Sequence, residues 1–238
     1  MRVLSLRIIA IFACFFYSFV AQADSAILKY KEGLAYRGHI ELPRFTIPLP
    51  PGVWQLSAAN EKRNNNNDNI LSLTLAKTES GILSSWLVID TNVDPASWGW
   101  VLPQWCSRKD VYYSVLEAYY KHEQDCRWLN HIVWEQTDSY TPSVGKNIRN
   151  FARANNIKFP RLGISEWIYL ANERSFLTVN LITNPESLGF SVDSETTWAS
   201  SPWHKDLVLQ DPKRLAVMNT LKQHLDEYRE KLKAATRL

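Results

Sequence analysis

The sequence has few cysteines and few glycines. It contains three Cys and eight Gly among 238 residues, and neither G-x-x-x-x-G-K nor G-x-G-x-x-G occurs. Because phosphate-binding loops need glycine for close backbone approach, the common nucleotide-binding folds are disfavoured. No C-x-x-C and no H-E-x-x-H is present, which argues against a thiol oxidoreductase and a zinc protease. We therefore expect no cofactor and no metal.

The only long apolar run lies at the start of the chain. Ile8–Val20 is almost wholly apolar, follows two arginines, and precedes the small residues Ala21 and Ala23. About 13 apolar residues are too few to cross roughly 30 Å of hydrocarbon, and the pattern is typical of a signal peptide. We predict a signal peptide over residues 1–23, cleaved near Ala23. An uncleaved membrane anchor and lipidation of Cys14 are the alternatives.

A strong net charge is also lacking. The chain has 27 Lys and Arg against 24 Asp and Glu, and two of the basic residues lie in the predicted signal peptide. Proteins that bind nucleic acid usually carry a marked positive excess, so no nucleic-acid partner is expected. Residues 24–238 are enough for a single globular domain with a sizeable core. We predict a periplasmic or secreted protein that is not an integral membrane protein.

Two cysteines remain after the predicted cleavage, Cys106 and Cys126. An even number of cysteines in an exported protein predicts a disulfide, and two allow only one pairing. Such a bridge would stabilise the fold by about 3 kcal/mol in the chain-entropy model. A cysteine nucleophile acting with His122 or His131 is the alternative, but a disulfide would consume the thiol.

Alternating apolar and polar residues predict strands. The clearest is 70–77, where three leucines alternate with serine and threonine. The same reasoning predicts strands at 45–50, 53–58, 82–91, 111–120, 127–136, 164–172 and 175–184. The polar run 60–68 includes four consecutive asparagines, and we predict an exposed hairpin loop there. The order of the predicted strands and turns indicates a meander followed by two hairpins.

Helical spacing of apolar residues predicts two helices. The first begins at the capping region 141–143, ends near 155–156, and has apolar residues on one side: Val144, Ile148, Phe151 and Ala152. The second follows Asp211-Pro212 and carries one apolar stripe: Leu215, Met218, Leu221, Leu225, Tyr228 and Leu232. We predict an α+β fold, an antiparallel β-sheet (meander plus hairpins) covered by two helices, including a long C-terminal helix.

Tryptophan is unusually abundant, with ten residues. Trp98 and Trp100 would share one side of an extended backbone, where they would offer a flat face for stacking a sugar of peptidoglycan or polysaccharide. Tryptophans on the predicted strands are expected to fill the core. Trp105 is expected to pack over the disulfide, and Trp203 is a third candidate for ligand contact.

A basic cluster lies on the first predicted helix. No acidic residue occurs between Asp138 and Glu166, whereas Lys146, Arg149 and Arg153 recur at gaps of three and four. This spacing places them on one side of a helix, which predicts a site for an anionic envelope component such as a lipid headgroup or lipopolysaccharide. A protein partner, or an ordinary solvated helix face, is the alternative.

These patterns favour a non-catalytic envelope accessory or binding protein. A cell-envelope hydrolase with a dispersed active site remains an alternative, as does a structural protein that assembles through the terminal helix. Gly163-x-Ser165 matches half of a nucleophile elbow, but Trp167 occupies the position of the second glycine. No residue is therefore predicted to be catalytic.

Overall fold

The computed structural model describes residues 26–134 and 142–238, with side chains from residue 145 onward in the second range. Within these ranges the strands are β1 Ala35–Tyr36, β2 His39–Glu41, β3 Thr46–Pro48, β4 Trp54–Arg63, β5 Asn69–Glu79, β6 Ile82–Asn92, β7 Tyr113–Tyr120, β8 Glu123–Val133, β9 Leu162–Ala171 and β10 Phe176–Thr183. The helices are α1 Pro142–Ala154, α2 Lys205–Val208 and α3 Pro212–Thr236. The predicted signal peptide lies outside the described residues.

Eight strands form one antiparallel sheet in the order β1-β4-β5-β6-β10-β9-β8-β7, and β2 pairs with β3. The predicted meander is confirmed as β4, β5 and β6, and the two hairpins as β7–β8 and β9–β10. The sheet is completed by β6 and β10, which pair from Leu177↔Thr91 to Thr183↔Ser85. This long-range pairing joins the meander to the hairpins.

The predicted loop 60–68 is shorter in the structure. β4 continues to Arg63, so only residues 64–68 connect it to β5. The side chain of Asn64 accepts hydrogen bonds from the backbone N–H groups of Asn66 and Asp68, which is how an asparagine builds a turn. The prediction was wrong for 60–63 because polar side chains are compatible with a strand whose side faces solvent.

One face of the sheet, called the first face, carries the three leucines of β5 and packs against α3. The side chain of Asp211 accepts from the backbone N–H groups of Lys213 and Arg214, which confirms the predicted start of this helix. Four residues of the predicted apolar stripe are buried: Met218, Leu225, Tyr228 and Leu232. The long C-terminal helix is therefore confirmed, with its stripe on the first face.

The opposite face, called the second face, is covered at its two ends by different segments. At one end, Ile148 of α1 packs against Trp86 and Ile182. At the other end lies the tryptophan loop, residues 98–108, which packs around Phe176 and the disulfide-linked Cys126. The two predicted helices thus lie on opposite faces of the sheet, and the α+β fold has three layers.

The predicted disulfide is present in the structure. Cys106 lies in a short 3-10 turn of the tryptophan loop, Cys126 lies on β8, and their Cα atoms are 5.6 Å apart. The bridge fastens the loop to the second face. Among the described residues, none of the helices has the length and apolar character needed to cross a membrane.

Candidate functional site

The middle of the second face, between α1 and the tryptophan loop, carries polar and aromatic side chains. The strand pairing forms two adjacent rows of side chains across the sheet. One row contains Ser72, Asp90 and Thr178, and the other contains Asn180, Trp167 and Trp128. We call these six residues the central band. Neighbouring strands lie about 4.8 Å apart, and the two rows are two residues, or about 7 Å, apart along the strands. The backbones at Asp90 and Trp167 are therefore roughly 12 Å apart, with β10 between them.

Asp90 is the ionisable group of the central band. The Ser72 hydroxyl donates a hydrogen bond to its carboxylate. Burial raises the pKa of Asp90, while the Ser72 hydrogen bond and the positive charge of Lys62 act in the opposite direction. Both Ser72 and Asp90 are half-buried, so the pair is held in place yet still reaches solvent.

The other side of the central band is aromatic. The rings of Trp128 and Trp167 are stacked, with centroids 5.5 Å apart and an interplanar angle of 13°. Trp105 of the tryptophan loop meets Trp167 edge-on at 4.6 Å, and the guanidinium of Arg108 lies 5.3 Å from the Trp128 ring. These contacts fix the orientation of Trp167, which is itself half-buried.

Polar groups in and next to the band, on the same face of the sheet, have unused hydrogen-bonding capacity. Ser165 donates to the side-chain oxygen of Asn180 at 2.6 Å. Next to it on β8, Asn130 is 1% exposed, and neither atom of its amide has a partner within the described chain. The indole N–H of Trp128 is likewise unpartnered there. Buried polar groups usually find partners, so these atoms are exceptions that leave hydrogen-bonding capacity unused next to the band.

The structure separates the two predicted tryptophans. The φ angle of Gly99 is +78°, so the backbone between Trp98 and Trp100 is not extended and the shared face expected from the sequence does not form. Trp98 is 75% exposed, whereas Trp100 packs on Phe176 with ring centroids 4.4 Å apart. A ligand-binding role for either residue stays a prediction.

Two further tryptophan predictions have clear outcomes. Trp105 packs in the same cluster as Cys106 and Cys126, as expected. Trp203 is 0% exposed and lies in the core of the first face, with Phe190 against it at 5.0 Å. The suggestion of ligand contact at Trp203 was wrong, because the irregular segment that carries it folds back over the sheet.

The basic cluster lies on α1, at the other end of the second face. Lys146 and Arg153 are exposed. Arg149 is half-buried, with its guanidinium 5.9 Å from the Phe159 ring. α1 packs near Ala76 and the tryptophan loop near Ile70, six residues apart on β5, or about 20 Å. The structure therefore does not bring the two predicted binding groups together, and the central band lies between them.

Sequence reasoning missed Asp90 and Trp167 as candidate site residues. Both lie inside predicted strands, where alternation indicates which residues share a face but does not indicate which face is fully covered. Asp90 was nevertheless visible as an acidic residue at the end of an apolar strand. That position could have been noted as an unusual place for a charge.

A second ionisable cluster lies between the first face and α3. Glu166 is buried, and its carboxylate lies 2.7 Å from Nδ1 of His224. Burial raises the pKa of Glu166, and the hydrogen bond with Glu166 raises that of His224. Further along α3, Asp226 forms an ion pair with Arg127 of β8, and Arg229 forms one with Asp125 of β8. These pairs are enclosed between helix and sheet, so we assign them to fixing the position of α3.

No protein-family model matches this chain, and no curated protein and no solved structure is significantly similar to it. In the described ranges, no group of three or more His, Cys, Asp or Glu side chains has the geometry of a metal site.

Proposed function

We propose that this chain is an exported, non-catalytic binding protein and that the central band holds a neutral glycan segment. The observation that carries the proposal is the half-buried pair of Asp90 and Trp167 on one face, with backbones about 12 Å apart. A sugar ring has apolar C–H faces that pack on an indole and hydroxyl groups that need donors and acceptors. The band offers an indole on one side and a carboxylate with a serine hydroxyl on the other.

Binding is favoured over hydrolysis by the composition of the band. Glycoside hydrolysis ordinarily needs two carboxyl groups on opposite sides of the bond. Asp90 is the one carboxylate among the described positions that register places in the two rows of the band. The alternative of an envelope hydrolase therefore has less support.

The proposal is tested by titrating the purified protein with a soluble oligomer of β-1,4-linked N-acetylglucosamine, using calorimetry and tryptophan fluorescence. We expect wild type to bind, and both Asp90→Asn and Trp167→Phe to weaken affinity at least tenfold, about 1.4 kcal/mol. Asp90→Asn preserves size and Trp167→Phe retains an aromatic ring, so circular dichroism should show an intact fold.

Trp98→Ala is the matched control, because Trp98 is exposed and lies outside the central band. It should leave the affinity unchanged. Loss of binding in Trp98→Ala alone would place the site on the tryptophan loop instead. Absence of binding by wild type to this oligomer and to hexose oligomers would refute the proposal.

A second candidate is attachment to an anionic envelope surface through α1. Lys146 and Arg153 are exposed, and within the described chain neither has an ion-pair partner. Each basic residue close to an anionic membrane contributes about 1 kcal/mol of attraction. Cosedimentation with vesicles containing phosphatidylglycerol, lost in Lys146→Ala/Arg153→Ala and at high salt, would favour this role over glycan binding.

A further inference from the structure

A cleft of about 420 Å³ lies between α1 and the outer edge of β4, away from the central band. Its lining is rich in side-chain amides and contains one carboxylate: Glu32, Gln55, Asn147, Asn150 and Asn155. Phe151 and Ala154 of α1 line it as well. The volume falls within the usual range for sites that bind small ligands or short peptide segments.

The wall of this cleft is a strand edge that is only partly paired. β1 meets β4 at two positions, Ala35↔Gln55 and Tyr36↔Trp54. Two more backbone hydrogen bonds join Leu56 to Gly33 and Leu34. Beyond them β4 continues to Arg63, and no described strand lies on its outer side. The unpaired N–H and C=O groups of such an edge can accept another strand.

The facing side of α1 supplies matching side chains. Asn147 and Asn150 are three residues apart, so they project from the same side of the helix. Neither amide has a hydrogen bond to another described residue, and the same holds for Gln55 on β4. Each amide offers two donors and an acceptor, which is the complement of a peptide group. Arg153, three residues beyond Asn150, does not line the cleft.

We propose that this cleft binds an extended segment of a partner protein, which adds to the sheet as a strand along β4. The segment would continue the ladder that ends at Leu56, with its inward side chains between β4 and α1. Strand addition beside a helix is a recurring mode of peptide recognition, in which backbone bonds give affinity and the adjoining pocket gives specificity.

The composition of the cleft specifies the segment. Amides dominate the lining near α1, so uncharged polar side chains fit there. Lys62 and Arg63 are exposed at the far end of β4, so an acidic residue on the segment would be favoured at that end.

A second copy of this chain is a less suitable occupant than a single segment. Register shifts between Leu56 and Ala58, so Ser57 forms a bulge at the start of the free edge. A bulge increases the local twist and opposes flat edge-to-edge pairing of two sheets. A single extended segment can follow that twist.

The test is selection of a displayed library of random 12-residue peptides on the purified protein, followed by affinity measurements on synthetic copies of the enriched sequences. We expect enriched peptides to carry an acidic residue near one end. Asn150→Trp should fill the cleft and weaken their binding at least tenfold. Arg153→Trp introduces the same residue type at a position of α1 that does not line the cleft, so it is the matched control and should change affinity less than twofold.

Hydrogen exchange shows whether the peptide adds as a strand. Backbone amides of residues 57–63 should exchange more slowly with peptide bound, while amides of β7, the other edge of the sheet, should not change. Failure to enrich any peptide, equal binding by Asn150→Trp, or protection of β7 instead would overturn the proposal. Glycan binding should persist in Asn150→Trp, so the failure of either proposal can be recognised separately.

Discussion

The two faces of the sheet are built from different residue types. The first face carries leucine, isoleucine and valine beneath α3, and its core residues are almost wholly buried. The second face carries most of the tryptophans together with serine, threonine, asparagine and one aspartate: Ser72, Asp90, Thr178, Asn180, Trp86, Trp100, Trp105, Trp128, Trp134 and Trp167. Three segments cover the first face: α3, the β2–β3 hairpin and the irregular segment that carries Trp203. By contrast, α1 and the tryptophan loop cover only the ends of the second face.

This difference separates stability from binding. Apart from the ionisable cluster beneath α3, the first face packs aliphatic side chains closely, so it excludes water and contributes most to the free energy of folding. Indoles and amides combine apolar area with hydrogen-bonding groups, which makes the second face suited to ligand contact. Substitutions on the first face should therefore change stability, and substitutions in the central band should change binding.

The largest expected effect is on the first face. Leu225→Ala removes a fully buried side chain of α3 and should lower the free energy of unfolding by about 2–5 kcal/mol. Urea unfolding followed by circular dichroism measures it. Gln223→Ala, at an exposed position of the same helix, should stay within about 0.5 kcal/mol. Equal losses in both variants would mean that α3 does not bury its stripe against the sheet.

The disulfide provides the corresponding test on the second face. Replacing both Cys106 and Cys126 by serine should lower the free energy of unfolding by about 3 kcal/mol, because the unfolded chain gains freedom. Unfolding of wild type in a thiol reductant should show the same loss. If both cysteines of the untreated protein react with a thiol label, the bridge is not formed, and the expected stabilisation of the second face by the disulfide is contradicted.

An effect no larger than that of the disulfide should depend on pH. Burial on the first face lowers the pKa of His131 to about 4, from an ordinary value of 6.5. The unfolded chain therefore binds a proton that the folded protein does not, so stability is lost as the pH falls from 6.5 towards 4. The contribution is up to about 3 kcal/mol, at 1.36 kcal/mol per pKa unit.

The variant His131→Gln isolates this contribution, since glutamine retains a hydrogen-bonding group but does not titrate. Its free energy of unfolding, measured by urea denaturation from pH 4 to 7, should fall less steeply on the acid side than that of wild type. His39→Gln, at an exposed position, is the control and should follow the wild-type curve. Identical acid slopes for wild type and His131→Gln would contradict the burial of a neutral imidazole.

The smallest expected change in stability is at Asp90. Because burial raises the pKa of its carboxyl group, the ionised form is held at a cost that asparagine avoids. Asp90→Asn should therefore leave the free energy of unfolding unchanged or raise it by less than about 1 kcal/mol at pH 7. Thermal melting of wild type and Asp90→Asn at pH 7 measures this change in stability. A marked loss of stability would show that Asp90 supports the fold, and the division between the two faces would no longer hold.

Much of the local structure was predictable. The leucines of β5 and the apolar stripe of α3 follow the two periods that distinguish strand from helix, and Asp211 with Pro212 marks the start of α3. The loop at 64–68 was predicted too long, because hydrophobic alternation gives no signal where a strand extends into solvent.

The candidate site was much less predictable. Trp98 and Trp100 were chosen because they are close in sequence, but the left-handed backbone at Gly99 separates them. Asp90 and Trp167 are 77 positions apart in the chain, and they lie on one face only because β6 pairs with β10. Nothing in either local pattern specifies that pairing.

The amino-acid sequence by itself determined most of the long strands, both long helices, where α3 begins, and which two cysteines can pair, because these depend on neighbours along the chain. Tertiary structure decided that β6 joins β10, that α1 and α3 lie on opposite faces, and that a carboxylate and an indole share the central band. Those features depend on contacts between residues far apart in sequence, and such contacts form only when the whole sheet is assembled.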